Sequence, residues 1–365
     1  MNFNNNNANG GDFKLPLHPN SLSNTAKVFL TMTASFLMLV CSIFNMFGIT
    51  ANSPTVIMLA AVLSMLVYFI VGGICALLVL EASKLAPVPP IVTFVLTLLL
   101  FGVINGGVNS AMLSDALLSL FPSVGGTAMA LAMKKGAGRT SAILVSSVST
   151  GVFVAAVCVL SVYLAGGSVS GASISSAIDS ARASFVEMFE EQIAVFEKEM
   201  PEYDFSGLDI EGSVNGIFNR LPAMIVLAFN VTAFFSNLSL LALMRILDLY
   251  HKLKKADTEF KVSIVTAVLY AASYLLTVVT VGDDSPAYAV FDNISTILMP
   301  ALAVVGLMEC LPKRDGASVR VGCFPLILSG SLMMFLPALG VLVLSFFGTF
   351  YIIRDEFKKH KKDEG

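Results

Sequence analysis

The sequence has no tryptophan, three histidines and few charged residues, and these shortages exclude several classes of protein. Charged residues make up 13% of the chain, whereas soluble domains carry about 25%. With 56% hydrophobic residues and a mean hydropathy of +0.82, the composition excludes an ordinary soluble domain. No H-E-x-x-H, G-x-S-x-G or Walker-type motif occurs, and His18, His251 and His360 lie outside the long apolar runs. We therefore expect no enzyme, no metal site, no cofactor and no nucleic-acid partner.

The cysteine pattern gives no sign of disulfide or metal chemistry. Five cysteines (Cys41, Cys75, Cys158, Cys310 and Cys323) are scattered without a C-x-x-C pair. We interpret them as small apolar packing residues. Residues 1–26 are Asn-rich and polar, which predicts a disordered tail and no cleavable signal peptide.

Long apolar runs dominate the rest of the chain. A helix needs about 20 apolar residues to cross the hydrocarbon core of a membrane. The sequence therefore predicts an all-α, polytopic transmembrane helix bundle of eight spans, whose fourth span is interrupted by Pro122 and by Gly125-Gly126. Residues 321–353 follow as a C-terminal hairpin or as one long kinked helix. The predicted spans are residues 28–48, 56–80, 91–104, 111–133, 140–165, 222–244, 262–281 and 287–311.

One polar segment, residues 167–221, divides the apolar chain. It holds ten acidic and three basic residues, a net charge of −7. Phe185, Phe189, Ile193 and Phe196 recur at three- and four-residue steps, which predicts an amphipathic helix over residues 173–200. This apolar stripe is the candidate partner-binding surface; the alternative is a helix that packs on its own domain or on the membrane surface. The predicted division is 1–26 (tail), 27–166 (membrane bundle), 167–221 (helical insert), 222–353 (second membrane bundle) and 354–365 (basic tail).

The positions of lysine and arginine predict the orientation in the membrane, because these residues concentrate in cytoplasmic loops. If the N-terminus is cytoplasmic and the eight spans alternate, the acidic insert is extracytoplasmic. The basic tail is cytoplasmic if residues 321–353 fold back near Pro337, which we favour. In that arrangement 19 of the 22 basic residues are cytoplasmic.

Polar side chains inside the spans are the candidate solute-binding residues, because burial in hydrocarbon is costly and by default indicates function. Asn230 and Asn237 are seven residues apart and therefore lie nearly on one helix face. The alternative is that such groups form hydrogen bonds between helices. Asp115, before the break at Pro122, is a second candidate, since interrupted helices line cavities. The candidate solute-binding residues are Asn45, Asn230, Thr232, Ser236, Asn237, Asp292 and Asn293.

Short motifs with proline, glycine or arginine occur along residues 27–355. They include Leu120-Phe-Pro-Ser-Val-Gly-Gly, Lys134-Lys-Gly-Ala-Gly-Arg, Asn219-Arg-Leu-Pro, Leu243-Met-Arg-Ile-Leu, Asn293-Ile-Ser, Leu298-Met-Pro and Ala303-Val-Val-Gly. Together they resemble the YybS-like family of multi-pass bacterial membrane proteins. That family is distantly similar to the substrate-binding membrane subunits of energy-coupling-factor vitamin transporters. Those subunits dock a partner through an Ala-x-x-x-Ala pattern in the first helix, where this chain has Thr31 and Ser35.

From the sequence we expect an integral membrane protein that binds a small solute or belongs to a transport system. The alternative is a non-transporting scaffold of the cell envelope that recruits a partner through the acidic insert. The expected partners are the lipid bilayer, a small-molecule solute, and either another membrane protein or a second copy of the chain.

Overall fold

The computed structural model of the chain describes residues 22–50, 54–104, 107, 110–166, 169–199, 207–253, 260–280, 286–310 and 337–363. These residues form helices and short connections, with no strand among them, which confirms the predicted all-α fold. Residues 1–21 of the predicted tail lie outside the described residues. The helices are α1 (Asn24–Thr50), α2 (Pro54–Leu80), α3 (Val88–Ile104), α4 (Ser110–Leu118), α5 (Phe121–Lys134), α6 (Arg139–Gly166), α7 (Gly171–Glu199), α8 (Ile210–Ile246), α9 (Ile264–Val279), α10 (Pro286–Cys310) and α11 (Pro337–Asp363).

Six segments of the described chain are helical, long and apolar enough to cross a membrane. They lie in α1, α2, α4 with α5, α6, α8 and α10. Two shorter apolar helices, α3 and α9, coincide with the third and seventh predicted spans. The chain therefore has the architecture of a helical multi-pass membrane protein, while the total of eight spans stays a prediction.

The interruption predicted in the fourth span is present. α4 ends at Leu118 and α5 begins at Phe121, so Pro122 lies in the first turn of α5, where its missing N–H is tolerated. A Cβ on Gly125 would overlap side chains of α6, and a Cβ on Gly126 would overlap the backbone of α2. The glycine pair thus allows α5 to pack closely against both neighbours.

Helix α8 corrects the predicted boundary between insert and bundle. The sequence predicts that the insert ends at residue 221 and that a span starts at Pro222. Instead, α8 runs through this boundary from Ile210 to Ile246. Asp209 caps its first turn by accepting a hydrogen bond from the Gly212 N–H at 2.8 Å. The 37 residues of α8 extend about 55 Å at 1.5 Å per residue, so the helix is much longer than a membrane crossing requires.

The last helix combines the end of the final apolar run with the basic tail. α11 begins at Pro337 and continues to Asp363, so the predicted boundary at residue 354 lies inside a helix. Residues 321–336, which would form the other arm of a hairpin, lie outside the described residues. The choice between hairpin and long kinked helix stays a prediction.

The helices form two groups joined by α8. In the first group, α2 packs against α1 and α5, α5 packs against α6, and α3 packs against α1. In the second group, α10 packs against α9 and α11. α8 contacts α2, α5 and α6 on one side and α10 on the other, so it is the element through which the two groups meet.

The two ends of the bundle differ in charge. At the end called here the basic end, the start of α1, the ends of α2, α5 and α8 and the start of α6 come together. The Lys261 N–H donates a hydrogen bond to Thr140 Oγ1 at 2.9 Å, which attaches the segment before α9 to the start of α6. At the opposite end, α7 packs on the first part of α8; α7 and residues 210–221 of α8 are called the acidic lobe.

The contact between α10 and α11 depends on two glycines. A Cβ on Gly306 would overlap the carbonyl of Leu344, and a Cβ on Gly348 would overlap the carbonyl of Leu302. Because lipid is as apolar as the helix surfaces, helices in a membrane associate through close packing, and small residues permit it. Glycine at both positions brings the two backbones into direct contact.

We predict that Gly348→Ala destabilises the protein by about 1–3 kcal/mol, because the added Cβ meets a rigid backbone carbonyl. Thermal unfolding in detergent measures the effect. Gly216→Ala is the matched control: Gly216 lies in α8 with nothing within 4 Å of an added Cβ. It should gain about 0.5–1 kcal/mol from higher helix propensity. Equal melting temperatures for Gly348→Ala and the wild type would contradict the close contact between α10 and α11.

Candidate functional site

A buried arginine at the basic end bonds to one of the predicted site residues. Arg139, the first residue of α6, is 7% exposed, and its Nε donates a hydrogen bond to Asn237 Oδ1 at 2.7 Å. Asn237 is fully buried on α8, and its Nδ2 donates to Met129 Sδ on α5 at 3.5 Å. A buried charge needs polar partners to offset the loss of water. Asn237 therefore holds the guanidinium of Arg139 in place between three helices.

Two aromatic rings complete this arginine cluster, which we define as Arg139, Asn237, Met129, Phe234 and Phe260. The guanidinium carbon lies 5.7 Å from the centroid of the Phe234 ring and 6.0 Å from that of Phe260. At these distances the ring faces attract a cation. The two rings also meet edge to face, with centroids 5.7 Å apart. The cluster thus surrounds a cation with apolar and amide groups at the meeting point of α5, α6, α8 and the segment before α9.

The other predicted site residues of α8 and α1 have different surroundings. Ser236 is buried beside Gly72 of α2, and its hydroxyl occupies the space that a Cβ on Gly72 would need. Asn230 and Thr232 are half-buried. Asn45 belongs to α1, but its side chain lies outside the described residues.

Asn293 bonds to the backbone of α8 on both sides of Pro222. Proline lacks an N–H, and its ring crowds the carbonyl four residues earlier, so it opens the helical hydrogen-bond ladder. Asn293 Oδ1 accepts a hydrogen bond from the Ala223 N–H at 3.2 Å, and its Nδ2 donates to the Asn219 carbonyl at 3.0 Å. An uninterrupted helix would pair these two backbone groups directly. The bond that Pro222 cannot donate would go to the Phe218 carbonyl, so Asn293 binds the next pair of backbone groups along the helix and supports α8 directly beside the proline.

Asp292 makes the neighbouring contact. Its Oδ2 accepts a hydrogen bond from Arg220 Nε at 2.8 Å, and the Asp292 side chain is 15% exposed. The side chain of Tyr288, one turn earlier on α10, also hydrogen-bonds to Arg220. Because the Arg220 side chain is 55% exposed, the ion pair by itself contributes at most about 1 kcal/mol. We call Asp292 and Asn293, with their partners on α8, the proline clamp.

The predicted solute-binding residues do not all meet at one place. The proline clamp holds Asp292 and Asn293 at the level of Ala223, whereas Asn237 lies in the arginine cluster. Ala223 and Asn237 are 14 residues apart on one continuous helix, which is about 21 Å along its axis. Asp292, Asn293 and Asn237 each have protein partners, so the interhelical hydrogen bonds weighed as the alternative are present at these three residues.

Glu81 connects three parts of the chain at the basic end. This residue directly follows α2, and its Oε1 accepts a hydrogen bond from Lys252 Nζ at 2.7 Å. Its Oε2 accepts from the Leu22 N–H at 3.0 Å, and the side chain is 6% exposed. Burial raises the pKa of Glu81, but the hydrogen bonds from Lys252 and Leu22 outweigh burial and hold the pKa below its ordinary value.

The predicted amphipathic helix of the insert is α7, from Gly171 to Glu199, close to the predicted range. Phe185 meets Phe218 of α8 edge to face, with ring centroids 5.8 Å apart. The guanidinium carbon of Arg182 lies 5.4 Å from the centroid of the same Phe218 ring. One side of the apolar stripe therefore packs on α8, as the alternative interpretation of the stripe expects. Residues 200–206 lie outside the described residues.

Sequence reasoning missed the structural roles of Arg139, Glu81 and Arg220. Counting basic residues on each side of the membrane treats every lysine and arginine alike, and it gives no information about a single carboxylate such as Glu81. A polar residue inside α8 was detectable from its apolar surroundings. Its partner was not, because Arg139 and Asn237 are 98 positions apart in the chain.

Comparisons with protein-family models, curated proteins and solved structures find no match to this chain. The resemblance to the YybS-like family therefore stays a prediction.

We predict that Glu81→Gln lowers stability at neutral pH by about 1–3 kcal/mol, because Lys252 then loses a charged hydrogen-bond acceptor. The folded-state pKa lies below the unfolded value, so the contribution is complete above the ordinary value of about 4.3. It is lost as the pH falls through the lowered pKa. The melting-temperature difference between wild type and variant should therefore shrink under acid conditions. Lys84→Gln, at an exposed position nearby, is the control and should change nothing; a Glu81→Gln difference that is independent of pH would contradict the assignment.

Proposed function

We propose that this chain is a membrane-anchored scaffold of the cell envelope whose acidic lobe binds a partner protein. The observation that carries the proposal is the uneven burial of the apolar stripe on α7. Phe189 and Ile193 are half-buried, whereas Phe185 and Phe196 are each 44% exposed and Met188 is 41% exposed. Packing on α8 therefore covers only part of the stripe.

Four exposed apolar residues, Phe185, Met188, Val195 and Phe196, lie within about 100° of one another around α7 and so share one side of the helix. We call these four residues the exposed strip. Val195 is 52% exposed. An apolar strip of this length on a helix that already has a packing partner is typical of a surface that a second protein covers.

Charge determines which partner fits the strip. The segment 167–221 carries a net charge of −7, and Glu187 and Glu191 lie on the side of α7 next to the strip. Anionic lipid headgroups would be repelled by these carboxylates, whereas a protein face with apolar residues surrounded by lysine and arginine would be attracted. Basic loops favour the cytoplasm, so we place the basic end in the cytoplasm and the acidic lobe outside.

A photo-crosslinking residue at Phe196 or Met188 tests this proposal in intact cells. We expect each position to give a discrete adduct with another protein, and the yield to fall when Glu187 and Glu191 are changed to lysine. The matched control is Ala194, which is also exposed on α7 but lies about a third of a turn from Met188 and nearly half a turn from Phe196 around the helix. It should give no adduct.

Three outcomes would contradict the proposal. Equal yields at Ala194 and Phe196 would indicate unspecific collision rather than a docking surface. An adduct that contains only two copies of this chain would show that the lobe binds a second copy of the chain instead of another protein. Yields that are unchanged by the two lysine substitutions would remove the argument from charge.

Binding of a small anionic solute is the second candidate function, and the arginine cluster is the observation that favours it. Cations buried among membrane helices commonly mark solute pathways. Asn230 lies seven residues before Asn237 and so on nearly the same face of α8. A solute carboxylate or phosphate beside this face of α8 could accept a hydrogen bond from the Asn230 amide and would be attracted by the positive charge of Arg139. In this role the chain would act as a transport-related membrane subunit.

Two asparagine variants separate a structural role from solute binding. Asn237→Leu should destabilise the protein by about 1–3 kcal/mol under either function, because the buried Arg139 Nε loses the Asn237 Oδ1 acceptor. Asn230→Leu, at a half-buried position, should change stability by less than about 0.5 kcal/mol. If the chain binds a solute, Asn230→Leu should nevertheless reduce uptake of small mono- and dicarboxylates into proteoliposomes. Uptake equal to that of the wild type would reject this second function.

A further inference from the structure

We propose that the proline clamp mechanically couples the acidic lobe to the second helix group, so that a displacement of the lobe moves α10. This inference holds whatever the lobe binds, and it therefore goes beyond the proposed scaffold function. It gives Asp292 and Asn293 a role as positioning residues between two helices instead of solute ligands.

The clamp is stiff because one short side chain joins two backbones. Asn293 Nδ2 donates to the Ala289 carbonyl of its own helix at 2.6 Å as well as to the Asn219 carbonyl of α8, while Oδ1 accepts from Ala223. Its amide plane is therefore fixed relative to both helices at once. Protein N–H···O bonds have donor–acceptor distances of about 2.7–3.2 Å, and the Ala223 bond is already at 3.2 Å, so a small tilt of α8 at this point must either break these bonds or move α10.

The location of the clamp coincides with the weakest point of α8. Pro222 removes one hydrogen bond from the helix and is the position at which a long helix bends most readily. The acidic lobe begins on one side of Pro222 and the membrane-embedded part of α8 on the other. A second helix that bridges the ladder here controls the angle between the two parts.

The clamp also restrains rotation of the lobe. Arg220 lies two residues before Pro222 and bonds to Asp292, so the bonds to α10 reach α8 at separate points before and after the proline. Two attachment points fix the orientation of the lobe relative to α10, whereas a single point would allow the lobe to rotate about it.

Tight packing transmits the position of α10 to the rest of the second group. Gly306 and Gly348 bring the backbones of α10 and α11 into contact. Tyr270 of α9 and Ser345 of α11 join through a buried hydrogen bond of 2.6 Å. These contacts allow little sliding, because packed helices lose contacts as soon as they separate. The second group is therefore expected to respond to the lobe as one body.

Distance measurements between spin labels test the coupling. The labels are attached through ketone-bearing unnatural residues, which leaves the native cysteines in place, at exposed Ser184 on α7 and exposed Met308 on α10. We expect a narrow distance distribution for the wild type and a clearly broader one for Asn293→Ala. Asn219→Ala is the matched control: the clamp uses only the backbone carbonyl of Asn219, so this distribution should match the wild type.

Hydrogen exchange at the Ala223 amide tests the role of the proline. Asn293→Ala should accelerate exchange about tenfold, the factor expected from losing one hydrogen bond. In a Pro222→Ala background the Ala223 N–H can pair directly with the Asn219 carbonyl, so the same substitution should have little effect on exchange. An equal acceleration in both backgrounds would show that Asn293 does not bridge a gap opened by the proline.

The coupling itself is overturned if folded Asn293→Ala gives the same narrow distance distribution as the wild type. If Asn293→Ala does not fold, Asp292→Asn provides the decisive variant, because it keeps the size of the side chain and removes the charge that holds Arg220. It should broaden the same distribution, and an unchanged width would then reject the clamp.

Discussion

Backbone polar groups that lie among apolar helices must find partners within the protein, and this constraint is sharpest at Pro222. Pro222 cannot donate to the helical ladder, and such a gap is tolerated where neighbouring groups support the backbone. Asn293 of α10 supports it by accepting from the Ala223 N–H and donating to the Asn219 carbonyl. α8 runs as one helix from the basic end into the acidic lobe.

The same constraint explains where the polar side chains of the described helices lie. Asn237 satisfies Arg139, Glu81 accepts from Lys252 and from the backbone of Leu22, and Asp292 accepts from Arg220. Each contact joins segments that are distant in the chain. Helices whose apolar surfaces associate weakly in lipid thus gain specific pairing from a few polar bonds and from close glycine contacts. Asn237, Asp292 and Asn293, three of the seven candidate solute-binding residues, form such bonds, and the scaffold that we propose needs no free polar group at these positions.

The sequence predicted the local features well and the long-range ones poorly. Length and apolarity located every predicted span except the sixth to within a few residues, and Pro122 with two glycines correctly indicated a break between α4 and α5. The same rule misled at Pro222, where a proline was taken as a helix start although a side chain 70 positions later supports the helix through it. Local patterns identify which residues are costly to bury. They do not identify the partner that makes burial stable, because that partner depends on how the helices pack.

Continuity of α8 through Pro222 is the claim on which the rest depends, and a distance along this helix tests it most directly. Spin labels at Asn215 and Leu238, both exposed positions of α8, are separated by 23 residues. An unbroken helix places their backbones about 35 Å apart at 1.5 Å per residue, and we expect a single narrow distribution at that distance in lipid. A broad distribution, or a mean shorter by about 10 Å, would mean that the helix breaks at the proline, and the lobe would then be a separate, hinged unit.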